Sequence, residues 1–202
     1  MAQPVAIPLP ARALLRAPAA SAPGELLLRA VRPADGDALQ TYVRNLASQS
    51  RYNRFFGAAA ELPPTELARA ISANDRDRIT LLLVYGEHGM EEIVGEARIA
   101  LSCDQLSGEF GMSLADSWRN MGLGSALLRK IEERAAADGI ETLFADTLRT
   151  NESMIGLARA RGYRIVGGYE PRALRITKRL ENVAPDLPCA RWSERAKVYS
   201  GA

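Results

Sequence analysis

This chain has one histidine, two cysteines and no long apolar run, and each scarcity removes a class of function. A Ser-His-Asp triad or a histidine-built metal centre would have to form around His88. That residue sits in Tyr85-Gly86-Glu87-His88-Gly89-Met90, which reads as a solvated turn between strands. Cys103 and Cys189 lie far apart, form no CxxC pair and match no zinc or haem spacing, so they read as reduced thiols. No metal is expected, and the cysteine usage fits a cytoplasmic location. A membrane span needs roughly 18 apolar residues in a row, so no membrane partner is expected. Charge of one sign is missing too: 26 Lys and Arg against 24 Asp and Glu leave a formal +2. No general positive field points to nucleic acid, and an acidic ligand must be met by local arrangement.

At 202 residues the chain is long enough for one well-buried core. Residues 1–24 are rich in Ala and Pro and lack the basic start and compact apolar stretch of a signal peptide, so they read as a flexible extension. Regular patterning then predicts strands over 25–31, 79–85, 93–101, 108–114, 141–148, 163–168 and 173–180. Leu39, Tyr42, Val43 and Leu46 recur at helical spacing behind Asp35 and Asp37. Pro63-Pro64-Thr65 opens a second helix. Leu123, Leu127, Leu128, Ile131 and Ala135 form the stripe of a long amphipathic helix, and a further helix is expected over 151–161. This is one mixed α/β domain over 25–181, followed by a tail over 182–202 that the pattern does not assign.

Between the strand ending at Leu114 and the long helix runs Trp118-Arg119-Asn120-Met121-Gly122-Leu123-Gly124-Ser125. A glycine-rich turn from strand to helix lets backbone amides converge, and the helix dipole adds partial positive charge there. A Cβ would hold phosphate oxygens away from those amides. The turn is not a P-loop, because Ser125 follows Gly124 with no lysine between them. It is not a dinucleotide fingerprint either, since position 127 is Leu127 where a glycine would be needed. A diphosphate cradle and a tight turn serving helix packing both remain open on this ground alone.

Arg119-x-x-Gly122-x-Gly124 resembles the Arg/Gln-x-x-Gly-x-Gly/Ala signature of the GNAT N-acyltransferases. Asn151-Glu152-Ser153-Met154, running to Arg161-Gly162-Tyr163, is similar to that family's later Asn…Gly-Phe/Tyr helix. The stretch Leu46 to Phe56, with Ser48, Arg54, Phe55 and Phe56, resembles the opening of bacterial Pat-type protein lysine acetyltransferases. Gly108-Glu109-Phe110 resembles their segment ahead of the loop. The resemblance implies a GNAT fold: a mixed, mostly antiparallel sheet of six to seven strands flanked by helices, splayed between the fourth and fifth strands. It implies acetyl-CoA as cosubstrate and an amine acceptor, a protein lysine or a small amine, in a monomer or homodimer.

By that resemblance the amides of Asn120, Met121, Gly122, Leu123, Gly124 and Ser125, with Arg119, hold the pyrophosphate. Met112, Ser113 and Leu114 bind pantetheine and the thioester carbonyl, and Asn151 and Met154 complete the coenzyme site. A lysine amine is charged at neutral pH, so a base must remove its proton. Glu109 stands where the Pat-type pattern has its proposed catalytic glutamate, and Glu96 on the preceding strand is the second candidate. Gly111 is a candidate bulge that helps the strands part. Arg51, Arg54, Phe55 and Phe56 are expected to pack and position the helices bordering the acceptor cleft. One departure stands out: where many members carry a tyrosine as acid for the leaving thiolate, this chain has Ala158. That keeps open an acyl-CoA-binding sensor without turnover.

Overall fold

The computed structural model describes residues 5–6, 24–72, 77–86 and 91–180. His88, Cys189, the rest of the N-terminal extension and the C-terminal tail lie outside the described residues. Eight strands form one sheet: β1 (Val5–Ala6), β2 (Glu25–Ala30), β3 (Arg78–Gly86), β4 (Glu92–Leu101), β5 (Ser107–Leu114), β6 (Thr142–Leu148), β7 (Arg164–Gly167) and β8 (Ala173–Arg179). Their order is β1-β2-β3-β4-β5-β6-β8-β7, antiparallel throughout except for the parallel pair β5–β6. Among the described residues the five α-helices are α1 (Gly36–Asn45), α2 (Ser48–Phe55), α3 (Pro64–Ala70), α4 (Leu123–Ala137) and α5 (Glu152–Ala160).

The continuous apolar run of β3 has a direct cause, since the strand is central and covered on both faces. Leu81, Leu83 and Tyr85 join the core beneath α4, whereas Leu82 and Val84 join the core beneath α1 and α3. The stripe of α4 is buried as its spacing predicts, with Leu127, Leu128, Ile131 and Ala135 fully enclosed. Burying each of its larger side chains contributes about 2 kcal/mol. At the entry to α1, Asp35 is buried against Arg29, which donates to both carboxylate oxygens at 2.8 Å. The Arg32 backbone N–H donates to the same carboxylate at 2.6 Å.

Three features differ from the sequence reading. A two-residue strand, β1, pairs with β2 at Leu27 and Leu28, so part of the expected extension belongs to the sheet. A separate helix, α2, stands where only two helices were expected before β3. Its one buried residue is Ser50, so no apolar stripe marks it. The register shift lies between β3 and β4, where Leu83 faces Gly95 and Val84 faces Ile93. Opposite Gly111 the β4–β5 ladder is regular, so Gly111 is no bulge.

The functional consequence of the topology lies at β5–β6. Only Ser107–Glu109 of β5 pair with Thr142–Phe144 of β6, and beyond them the strands part. Counted from β2, these are the fourth and fifth strands, where the splay was expected.

Candidate active site

The parting of β5 from β6 opens a cleft of about 840 Å³. Met112, Ser113 and Leu114 of β5 form one wall, and Ala145, Asp146 and Thr147 of β6 face them. The turn before α4 closes one end. In that turn anchored and exposed residues alternate. Trp118 and Met121 are buried, Leu123 likewise, and the Trp118 ring lies 4.9 Å from that of Tyr85. Arg119, Asn120, Gly122, Gly124 and Ser125 line the cleft between these anchors. The side chains of Met121 and Leu123 therefore pack into the core, and only their backbones are available to a ligand.

Asn120 (φ 59°) and Gly122 (φ 81°) both take the left-handed conformation that turns the chain into α4. No side chain caps this helix, and its first turn carries no acidic residue. The first amide to find a helical acceptor is that of Ala126, bonded to Gly122 O at 3.2 Å. The amides of Leu123, Gly124 and Ser125 come before it and lack carbonyls to bond within the helix. Bare, convergent donors at a dipole's positive end fit an anionic ligand. The residues present therefore suit the diphosphate that the signature implies.

Asn151 caps α5, its side chain accepting the Met154 amide at 3.3 Å and donating to Thr147 at 3.2 Å. It also lines the cleft with Met154, so capping and exposure to a ligand coexist at one residue. Ala158, where a tyrosine would serve as acid, is fully buried in the core and offers the cleft nothing. The nearby Tyr163 phenol is buried as well, and burial pushes its pKa well above the ordinary value. It does not line the cleft.

Glu109 stands exposed on β5 at the cleft's other end, and no described residue pairs with its carboxylate. Glu96 proves unsuited to taking a proton from an acceptor. It is fully buried and does not line the cleft, ion-paired to Arg54 at 2.6 Å and Arg98 at 2.9 Å. Burial pushes its carboxyl pKa up, but the two guanidiniums and hydrogen bonds from Arg54 and Ser113 outweigh this and hold it below the usual range. Ser113 donates to it at 3.1 Å and contacts the buried Tyr42 hydroxyl at 3.0 Å.

Sequence reasoning missed Asp116. It accepts hydrogen bonds from the Ala47 amide at 2.8 Å and Ser50 Oγ at 2.6 Å, and lies 3.3 Å from Arg119. It thereby ties the start of α2 to the glycine turn. A lone polar residue opening a three-residue 3-10 turn carries no periodic signal, so this link is visible only in three dimensions. Asp146 was missed too; Arg175 grips it with two bonds of 2.9 and 2.7 Å while stacking over Phe144 and Tyr169.

In shape the molecule shares the splayed-sheet fold of solved GNAT domains. The GNAT domain of S. lividans PAT matches it with a TM-score of 0.70 at 22% identity, over 77% of this chain and 91% of that one. Salmonella typhimurium yncA, solved with its cofactor acetyl-CoA, matches at 0.61 and 19% identity over 80% and 98%. The sequence narrows the assignment. Residues 42–163, more than half of the chain, match the Acetyltransferase (GNAT) family, and the chain belongs to that family. The acetyltransferase PA5475 of Pseudomonas aeruginosa is 25% identical over 146 residues, 72% of this chain and 77% of its own length.

Proposed function

We propose that this acyltransferase moves an acetyl group from acetyl-CoA to a primary amine on a protein lysine, by direct attack in a ternary complex. One observation carries the reading: a single cleft has bare helix amides at one end and the unpaired Glu109 carboxylate at the other. At the first end, Gly122, Gly124 and Ser125 present main chain to the pyrophosphate, with Arg119 beside them. Along the wall, the β5 backbone from Met112 to Leu114 has no β6 partner and is free to bond pantetheine and the thioester carbonyl. Asn151 and Met154 border the same channel. Glu109 accepts the proton that the amine must lose, and the exposed setting lets a water relay it.

Beyond Glu109 lies a second cavity of about 480 Å³ on the acceptor side, between the sheet and α2–α3. Its lining mixes Glu61 and Glu66 with Arg78 and Arg98, and Glu61 and Glu66 are themselves ion-paired to Arg44 and Arg69. A site for a small polycation would be predominantly acidic, so a single amine on a protein surface fits better. The test is CoA release across lysine-bearing proteins, polyamines and free amino acids. Release is expected with lysine-bearing proteins and not with the same proteins after dimethylation of their lysines. Release with polyamines or amino acids alone would overturn the protein acceptor.

A further inference from the structure

We propose that Arg54 is a catalytic residue, a fixed guanidinium that stabilises the negative charge developing on the thioester as the acyl group passes to the amine. This rests on the acyl-transfer reading above. The donor cleft and the acceptor cavity share Arg54, Phe55, Glu109, Phe110 and Gly111. A coenzyme in one and an amine in the other can meet only at that junction. The junction holds one carboxylate and one guanidinium.

Arg54 is pinned there. Its Nε donates to Glu96 Oε1 at 2.6 Å and its Nη2 to Oε2 at 3.4 Å. Glu96 is ionised and fully buried, so it anchors the guanidinium without competing for solvent. The third nitrogen, Nη1, has no acceptor among the described residues. It lies against the β5 main chain at Gly111, where a Cβ would come within 2.5 Å of it. Glycine at 111 is what lets a charged fork rest on the strand between Glu109 and Ser113, two residues that share its face of the sheet.

The chemistry balances with the groups in place. Glu109 first takes the ammonium proton and releases it through water to solvent; the neutral amine nitrogen then bonds to the thioester carbon and gives its second proton to Glu109. The C–S bond breaks, and its electron pair leaves on sulfur. Negative charge grows on the carbonyl oxygen and then on the sulfur, beside a donor oriented before the reaction begins. A guanidinium keeps its protons, so Arg54 acts by charge and hydrogen bonding, not as an acid. It thus supplies stabilisation that Ala158 cannot.

Two variants test this with a lysine-bearing protein as acceptor. Arg54→Lys keeps a cation for Glu96 and so preserves the fold, but cannot bind Glu96 and still present a second planar donor. Its kcat should fall about 100-fold, the effect of losing one such donor, while its acetyl-CoA dissociation constant stays within about 3-fold of wild type. Arg54→Ala should be slower still and regain turnover on adding millimolar guanidinium ion with no accompanying change in Tm, which refilling a packing gap would not show. Turnover of Arg54→Lys near the wild-type rate, a loss confined to KM, or no response of Arg54→Ala to guanidinium would each overturn the proposal. If wild type neither binds acetyl-CoA nor releases CoA, the acyl-transfer reading itself fails, and the proposal with it.

Discussion

Replacing Gly124 with alanine and, separately, with leucine divides the needs of the fold from those of the ligand. The residue sits in the first turn of α4, outside the left-handed region. A Cβ there would meet Leu157 Cδ2 at 3.6 Å and Leu114 Cδ1 at 3.8 Å, ordinary contact distances. Nothing in the protein resists the methyl group, and alanine restricts the unfolded chain more than glycine does. The variant should gain about 0.5 kcal/mol, or a Tm higher by about 1–2 °C for a domain of this size. The signature admits alanine at this position, so the methyl should leave acetyl-CoA affinity nearly unchanged, whereas the longer side chain of Gly124→Leu reaches into the cleft beside the bare amides of Leu123, Gly124 and Ser125. In Gly124→Leu, holding a phosphate oxygen off one of them forfeits a charge-assisted hydrogen bond, about 1.5–3 kcal/mol, so acetyl-CoA should bind about 10- to 100-fold more weakly. Differential scanning fluorimetry without ligand and isothermal titration calorimetry with it measure the two effects. Unchanged affinity in Gly124→Leu would refute the cradle, and a Tm lower by several degrees in Gly124→Ala would refute the packing geometry.

Glu109→Gln should lower kcat by about 10²-fold or more while leaving the acetyl-CoA dissociation constant unchanged; equal turnover on the best acceptor would remove Glu109 from the base role. Trp118→Ala should cost about 3–5 kcal/mol in urea denaturation, because the ring anchoring the turn is almost fully enclosed. For Asp35, burial raises the carboxyl pKa, but hydrogen bonds from Arg29 and the Arg32 amide outweigh it, so the folded value lies below the unfolded one. That stabilisation is present above a pH of about 4 and is lost as pH falls through the folded value. Asp35→Asn should therefore be less stable at neutral pH and lose less on acidification; urea midpoints that fall in parallel for both proteins would contradict this.

The glycine turn, the strands and the α4 stripe were legible because each is a local pattern: a spacing of glycines, a run of apolar residues, a 3.6-residue period. That Glu109 and Asn151 border one cleft was legible through a resemblance anchored on neighbouring motifs. The helix α2 was not. It turns Ser50 and Arg54 inward to meet Asp116 and Glu96, so its buried face is polar and leaves no periodic mark. Glu96 misled for the same reason, since a lone carboxylate on a strand shows neither its burial nor its two arginine partners. The meaning of Gly111 was hidden likewise; a glycine in a strand reads as a bulge until the guanidinium resting on it is seen.

Among the described residues, three consecutive ladder pairs, Ser107–Thr142, Gly108–Leu143 and Glu109–Phe144, are the strand pairing that joins the first five strands to the last three. A sheet joined so briefly is two blades sharing a short seam. A molecule that threads between the free lengths of β5 and β6 becomes a staple across that seam. Amide exchange at Met112–Leu114 and Ala145–Leu148 should then slow together when the staple is in place, while β1–β3 keep the rates of the empty protein.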